Sequence, residues 1–178
     1  MRTEWGAKLA PAVSERDHVQ GSKSATITLV EYGDYQCPYC GQAYPIVKEL
    51  QQKLGSKLRF VFRNFPLSTM HPHAEHAAEA AETAGAHGKF WEMHDMLYEN
   101  QEALGDENLI QYATAIGLNE AGFTSEMVKH TQAARVREDF MSGVRSGVNG
   151  TPTFFINGVR HDGPFDIESL LQAIEGAQ

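Results

Sequence analysis

Residues 26–40 read TITLVEYGDYQCPYC. The apolar run from Thr26 to Val30 has few polar residues on either face, which predicts a central strand covered on both sides. A short loop then leads to Cys37-Pro38-Tyr39-Cys40, which contains the only two cysteines of the chain. Apolar residues at helical spacing follow at Ile46, Val47, Leu50 and Leu54. The stretch therefore predicts a strand, a loop, and a helix from about Pro38 to Leu54.

The two cysteines are spaced for reversible redox chemistry. Thiols separated by two residues close a small disulfide ring and reopen it, and each cycle transfers two electrons. At a helix start, the free amide hydrogens and the positive end of the helix dipole favour a thiolate at Cys37. The sequence therefore predicts Cys37 as the exposed nucleophile. Cys40 lies one turn further and is predicted to be the shielded resolving thiol.

A metal site is the main alternative use of a cysteine pair. Structural zinc needs four ligands, and the chain has no second Cys-x-x-Cys. The spacing of His71, His73 and His76 from the cysteines fits no common zinc pattern. We therefore expect no metal and no organic cofactor.

Composition restricts the partners. A net charge of −8, a pI near 5.4 and the lack of a basic stripe argue against binding to nucleic acid.

No stretch approaches the roughly 20 apolar residues of a membrane helix. Charged residues interrupt residues 1–20 where a signal peptide needs an apolar core. The sequence predicts a cytoplasmic protein if Met1 is the natural start, and a periplasmic or exported one if a signal peptide was removed.

The remaining periodicities predict how the chain is organised. Residues 58–65 alternate as a second strand, residues 70–147 are predicted to be almost all helical, and Asn157-Gly158 predicts a hairpin turn. A last helix is predicted from about Asp166. Neither flanking half has enough strands for a sheet of its own, so the helical block is interpreted as an insertion. The expected parts are an N-terminal extension (1–25), one α/β domain (26–66 and 148–178) and an inserted helical domain (67–147).

The helical block carries one further pattern. Small residues recur on one face of the helix predicted after residue 73, and acidic residues lie opposite them at Glu75, Glu79 and Glu82. This arrangement predicts that the acidic side chains form a solvated face.

Four segments resemble the DsbA family of thiol-disulfide oxidoreductases, over roughly residues 20–176. They are Glu31–Cys40, Arg63–Pro66, Gly88–His94 and Gly150–Gly158. Residues 15–21 and the segment from His71 to Ala74 are most similar to a bacterial subgroup that includes thioredoxin-like domains appended to sodium/proton antiporters. The resemblance implies an α/β, thioredoxin-like fold with an α-helical insertion. It also implies protein thiol or disulfide substrates and a redox-recycling partner whose identity is unknown.

The resemblance also implies roles for particular residues. Pro152 is expected to be a cis-proline, with Thr151 offering its backbone to an extended substrate beside the disulfide. Pro38 and Tyr39 are expected to contribute to substrate binding. Glu31, in the middle of the first predicted strand, is a candidate to relay a proton to or from Cys40. The alternative for Glu31 is a structural ion pair, for which Arg63 is the candidate partner.

The direction of electron flow depends on Tyr39. The best-known periplasmic oxidant of the family has histidine there, whereas Pro-Tyr is the glutaredoxin dipeptide. Without that cation the thiolate is less stabilised, which predicts a potential between roughly −150 and −230 mV. The predicted function is a protein disulfide oxidoreductase. The alternatives are a glutaredoxin-like, glutathione-dependent reductase and a non-catalytic thioredoxin-fold module that senses redox state or docks on a partner.

Overall fold

The computed structural model describes residues 6–178, so the first five residues of the predicted N-terminal extension lie outside the described part. The strands are β1 (His18–Gly21), β2 (Ile27–Gly33), β3 (Leu58–Asn64), β4 (Thr153–Ile156) and β5 (Val159–His161). The helices are α1 (Pro38–Leu54), α2 (Ala74–Ala86), α3 (Phe90–Glu99), α4 (Asp106–Ala115), α5 (Glu120–Val128), α6 (Ala133–Arg145) and α7 (Ile167–Gly176). A 3-10 turn, Gly55–Lys57, follows α1.

The chain forms two compact units. The sheet unit contains the chain up to Gly33, together with Gln42–Arg63 and Met141–Gln178. The helical unit contains Asp34–Gly41 and Asn64–Phe140. The short segment with both cysteines therefore belongs to the helical unit.

The sheet unit is built on five strands in the order β1-β3-β2-β4-β5. This order places β2 at the centre, and all of its residues except Thr28 are buried. The prediction of a central strand covered on both faces is confirmed. β4 runs antiparallel to β2, with Thr153 opposite Tyr32 and Phe154 opposite Glu31.

Strand β1 lies in the segment that was predicted to be an N-terminal extension with little periodicity. His18–Gly21 pairs antiparallel with β3, with His18 opposite Phe62 and Gly21 opposite Arg59. A four-residue edge strand is too short to show a period of two, and its conformation depends on pairing with residues about 40 positions later in the chain. Local sequence patterns therefore do not reveal it.

The end of the chain follows the sequence prediction. Asn157 and Gly158 have φ angles of 49° and 82° and connect β4 to β5, as the predicted hairpin turn requires. Asp166 caps α7 and accepts a hydrogen bond from the amide of Ser169 at 2.9 Å.

In the helical unit, helix α2 contacts α3, α4 and α5. The predicted stripe of small residues is buried and allows these close contacts; it comprises Ala74, Ala77, Ala78, Ala81 and Ala84. The prediction of a solvated acidic face is wrong for two of its three members, because Glu79 and Glu82 are only 2% and 4% exposed. Glu75 is exposed, as predicted.

Residues outside α2 contact the buried Glu82 carboxylate and a second buried carboxylate, that of Asp139 on α6. Glu82 accepts a hydrogen bond from Nδ2 of Asn64 at 2.7 Å, and Nε of Arg135 lies 3.8 Å from it. Asp139 accepts from both the amide and Nδ2 of Asn64, at 3.0 and 3.1 Å. Burial, together with the nearby charge of Glu82, raises the pKa of Asp139 to about 6. Asn64 and Arg135 both lie outside α2 in the sequence, which explains why helical periodicity placed Glu82 in solvent.

Candidate active site

The cysteine pair lies at the start of α1. The amide of Cys37 donates to the carbonyl of Asp34, and the carbonyl of Cys37 accepts from the amide of Gly41, both at 3.1 Å. Cys37 thus immediately precedes α1, while Pro38 takes the first helical position, where no amide hydrogen is needed. No acidic residue lies in the first turn. The positive end of the α1 dipole is therefore not neutralised by a carboxylate of that turn.

The exposure of the four motif residues differs from the prediction at one position. Cys40 is fully buried, as expected for a resolving thiol, but Cys37 is also buried, with 3% of its surface exposed. Pro38 is exposed, and Tyr39 has 60% of its surface exposed. The expectation of an exposed Cys37 is therefore wrong, and hydrogen bonds to distant residues of the helical unit restrain the backbone around it.

The first of these restraints is centred on the buried carboxylate of Asp34. It accepts hydrogen bonds from the amides of Gln36 and Leu67 at 2.8 and 2.9 Å, and it pairs with Nδ1 of His71 at 2.7 Å. The amide of Asp34 donates to Sγ of Cys40 at 3.5 Å. One residue therefore joins the loop before α1, the imidazole of His71 and the resolving sulfur.

Gln101 supplies the second restraint. Its Nε2 atom donates to the carbonyls of Tyr35 and Cys37, each at 2.9 Å. Gly41 permits this contact, because a Cβ at position 41 would fall onto Oε1 of Gln101 and lie 2.7 Å from its Cδ. The absence of a side chain at position 41 thus allows Gln101 to bind the backbone beside the nucleophile.

An aromatic cluster packs around Tyr35. The Tyr35 hydroxyl lies 3.0 Å from Nδ1 of His94, and the rings of Trp91 and Tyr98 contact that imidazole edge-on. His94 is 3% exposed. His94 is therefore a core histidine whose ring has a hydrogen-bond partner.

The other predicted site residues lie in the sheet unit. Glu31 is 2% exposed and lies on β2. Arg63 directs all five of its donors elsewhere: to Asp17 at 2.8 and 3.0 Å, to the Tyr32 hydroxyl, and to the carbonyls of Pro11 and Ala12. The candidate ion pair between Glu31 and Arg63 is therefore wrong.

Thr151 and Pro152 precede β4. The peptide bond between them is cis, the isomer that the resemblance implies, and both residues are partly exposed. The hydroxyl of Thr153 donates to the carbonyl of Gly150 at 2.7 Å and closes this loop. Within the sheet unit, Pro152 is thus two residues from Phe154, which lies opposite Glu31.

Sequence reasoning missed two residues of the site, Asp34 and Gln101. Asp34 carries a weak signal, because it lies three residues before Cys37 and an Asp commonly accepts from the amide two positions ahead. Gln101 carries none, since its hydrogen-bond partners lie 64 and 66 residues earlier. His71 and His73 flank Pro72 at the entry of the helical block and were candidates to border the active site, and His71 does so through its contact with Asp34.

Comparison with known proteins identifies relatives over nearly the whole chain. The protein family described as Thioredoxin matches residues 13–176. The chain is 45% identical over 169 residues to the Na(+)/H(+) antiporter NhaA 3 of Salinispora tropica, and 42% identical over 170 residues to NhaA 1 of a Mycobacterium species. These matches cover 95% and 94% of this chain but only 26% and 28% of the antiporters. The chain thus spans about a quarter of the length of these relatives.

Along residues 6–178, no helix combines the length and apolarity that crossing a membrane requires.

Solved structures share the fold. BdbD from Bacillus subtilis superimposes with a TM-score of 0.86 at 23% identity, covering 96% of both chains. A thioredoxin-like oxidoreductase from Silicibacter pomeroyi has a TM-score of 0.80 at 26% identity, covering 92% of this chain and 93% of its own. The thiol-disulfide exchange protein alpha-DsbA2 from Wolbachia pipientis has a TM-score of 0.77 at 20% identity, covering 93% and 89%. The predicted α/β, thioredoxin-like fold of the DsbA type is confirmed.

Proposed function

The chain belongs to the thioredoxin family, and from that premise we propose that it is a thiol-disulfide oxidoreductase that exchanges the Cys37–Cys40 pair with protein substrates. One observation carries the proposal. Cys37 and Cys40 are separated by two residues at the start of α1, and the Cys37 carbonyl accepts the first helical hydrogen bond from the amide of Gly41. This is the position at which a helix dipole favours a thiolate.

The proposed reaction balances without a cofactor. A substrate thiolate attacks Sγ of Cys37 in the oxidised enzyme, the Cys37–Cys40 bond breaks, and Cys40 leaves as a thiolate. A second substrate thiolate then attacks the substrate sulfur of the mixed disulfide and releases Cys37. The substrate loses two electrons and two protons, and the enzyme gains them as a dithiol. The reverse sequence reduces a substrate disulfide.

Four residues are proposed to bind the substrate. Pro38 and Tyr39 form the exposed part of the motif, and the Tyr39 ring offers an apolar contact with a polar tip. The cis peptide of Thr151 and Pro152 lies in a partly exposed loop, where an extended peptide can pair with the backbone. Glu31, which is buried on β2, is proposed to relay the proton of Cys40.

The equilibrium between dithiol and disulfide in glutathione buffers tests the proposal. We expect a reversible disulfide with a potential between roughly −150 and −230 mV. A potential above that range favours an oxidase in an oxidising compartment, and one below it favours a reductase in the cytoplasm. Failure to form a reversible disulfide would overturn the proposal.

Trapping experiments separate protein substrates from glutathione. Cys40→Ser should accumulate mixed disulfides with protein substrates at Cys37, whereas Cys37→Ser, the matched control, should accumulate none. Rapid deglutathionylation that needs Cys37 but survives Cys40→Ser would instead support a glutaredoxin-like reductase.

A second candidate is a redox-sensing or docking domain, which the similarity to segments of sodium/proton antiporters favours. That function predicts a reversible disulfide together with negligible insulin reduction and negligible oxidation of reduced proteins. It also predicts a change in hydrogen exchange between the oxidised and reduced forms. Substantial catalytic turnover would exclude a purely non-catalytic role.

A further inference from the structure

A second cluster of chemically active side chains lies in the helical unit on α2 and just after α5. We propose that His76, Glu79 and His130 bind a divalent transition-metal ion, for which Zn²⁺ is the representative. The ligand atoms of these three residues lie within 4.8 Å of one another. The inference does not depend on the proposed redox function and does not involve the cysteines.

Two of the ligands come from one helix. His76 and Glu79 are three residues apart on α2, so their side chains leave the same face of the helix. His130 approaches from the turn after α5 and places Nδ1 2.9 Å from Oε2 of Glu79. Tetrahedral zinc, with ligand distances of about 2.0–2.1 Å, needs ligand atoms roughly 3.3 Å apart. Because about half of each imidazole is exposed, small rotations close the remaining gap.

The burial of Glu79 is the feature that points to a cation. Its side chain is 3% exposed, and within residues 6–178 its only described ion-pair or hydrogen-bond partner is the half-exposed His130. A buried carboxylate is stable when a cation or several donors satisfy it. A metal ion in place of the proton shared between Glu79 and His130 supplies that charge.

A supporting carboxylate orients His76. Nδ1 of His76 donates to Oδ1 of Asp106 at 2.8 Å, and this hydrogen bond leaves the lone pair of Nε2 available for a metal. A carboxylate behind a ligating histidine is the usual arrangement that fixes the ring and raises its basicity. His130 itself has a φ of 52°, a left-handed conformation that is rare for residues other than glycine and recurs at functional sites.

The site opens into a cavity. A cavity of about 300 Å³ is lined by His76, Asp106 and His130 on one side and by Leu109, Ile110 and Met127 among its apolar residues. Two imidazoles and one carboxylate are a three-ligand set typical of zinc sites that leave a fourth position open. The cavity provides room there for water or a small exogenous ligand.

The test measures Zn²⁺ binding by titration calorimetry and Co²⁺ binding by visible absorption on the full chain. Both cysteines are replaced by serine so that thiols do not contribute. We expect one ion per chain and a tetrahedral Co²⁺ spectrum. Glu79→Gln and His130→Asn should each weaken binding more than Asp106→Asn, which should cost roughly 10–100-fold as the loss of a supporting partner does. Asparagine is chosen at position 130 because it tolerates a positive φ.

His87→Ala is the matched control, since His87 also pairs with a carboxylate, Glu126, at 2.7 Å but belongs to no three-residue cluster among the described residues. The Zn²⁺ binding constant of the His87→Ala chain should equal that of the chain with His87 in place. His76→Gln provides an independent variant if Glu79→Gln does not fold, and circular dichroism of each metal-free variant establishes folding. Absence of binding, or equal binding by the control and the ligand variants, would overturn the proposal.

Discussion

The contact between Gly41 and Gln101 yields a quantitative prediction for the active-site loop. Gln101→Ala removes two hydrogen bonds to the carbonyls of Tyr35 and Cys37. Gly41→Ala places a methyl group where Oε1 of Gln101 lies, so the amide must leave its position and the same two bonds are lost. The two substitutions therefore act on one contact.

The magnitudes follow from this geometry. A neutral hydrogen bond contributes about 1 kcal/mol net, so Gln101→Ala should lower the free energy of unfolding by about 2 kcal/mol. Gly41 is helical, and alanine in its place gains about 1 kcal/mol of helix propensity. Gly41→Ala should therefore destabilise the wild-type chain by about 1 kcal/mol, and should stabilise the Gln101→Ala chain by about 1 kcal/mol. The coupling energy between the two positions is then about 2 kcal/mol.

Guanidinium unfolding of the four reduced proteins measures this cycle. Gly176→Ala is the control, because nothing lies near a Cβ built at that helical glycine, so its effect should be the same with and without Gln101. Effects of Gly41→Ala and Gln101→Ala that add within about 0.5 kcal/mol would refute the claim that Gln101 restrains the loop.

Three further predictions concern buried or paired acids. Asp139→Asn should remove a pH dependence of the free energy of unfolding. In the folded chain the pKa of Asp139 is raised from 3.8 to about 6, chiefly by burial and then by the charge of Glu82. The folded state therefore binds this proton more tightly than the unfolded state does, and the resulting stabilisation is complete below about pH 4. The wild type should therefore lose about 3 kcal/mol relative to the variant as pH rises through 6, and parallel stability curves from pH 4 to 7 would contradict this. Glu31→Gln should slow disulfide exchange and flatten its pH profile in stopped-flow assays, and an unchanged profile would exclude the proton relay. His71→Ala should cost roughly 1–3 kcal/mol in chemical denaturation at pH 7, because it removes a partner of the buried Asp34 carboxylate, and a cost near zero would show that the pair is not stabilising.

Local patterns in the sequence were sufficient for much of the fold. The bounds predicted for α1, the hairpin at Asn157 and Gly158 and the start of the last helix near Asp166 all depend on residues within a few positions of each other, and the structure confirms them. The same holds for the position of the cysteines at a helix start. Such features are encoded by backbone preferences that act within one or two turns of chain.

Features that depend on distant partners were not predicted. Glu79 lies 51 residues from its partner His130, and Glu82 lies 18 residues from Asn64, so helical periodicity alone placed both in solvent. β1 is a strand because it pairs with β3, and its own four residues carry too little pattern to show it. Gln101 is likewise invisible in the local sequence, although it binds the backbone on either side of Gln36.

Both local sequence and distant residues are expected to influence the redox potential of the Cys37–Cys40 pair. The dipeptide between the cysteines is local, and the absence of a cation at Tyr39 is the basis for expecting a moderate potential. The structure adds remote groups in the same helical unit: Asp34 donates its amide to the Cys40 sulfur, His71 pairs with the Asp34 carboxylate, and Gln101 binds the Cys37 carbonyl. Because these contacts act on the Cys40 sulfur, on the Cys37 carbonyl or on the residue whose amide binds Cys40, two proteins with the same Cys-Pro-Tyr-Cys motif need not share a potential. Titrating the disulfide in the Gln101→Ala and His71→Ala chains separates these contributions from that of the dipeptide.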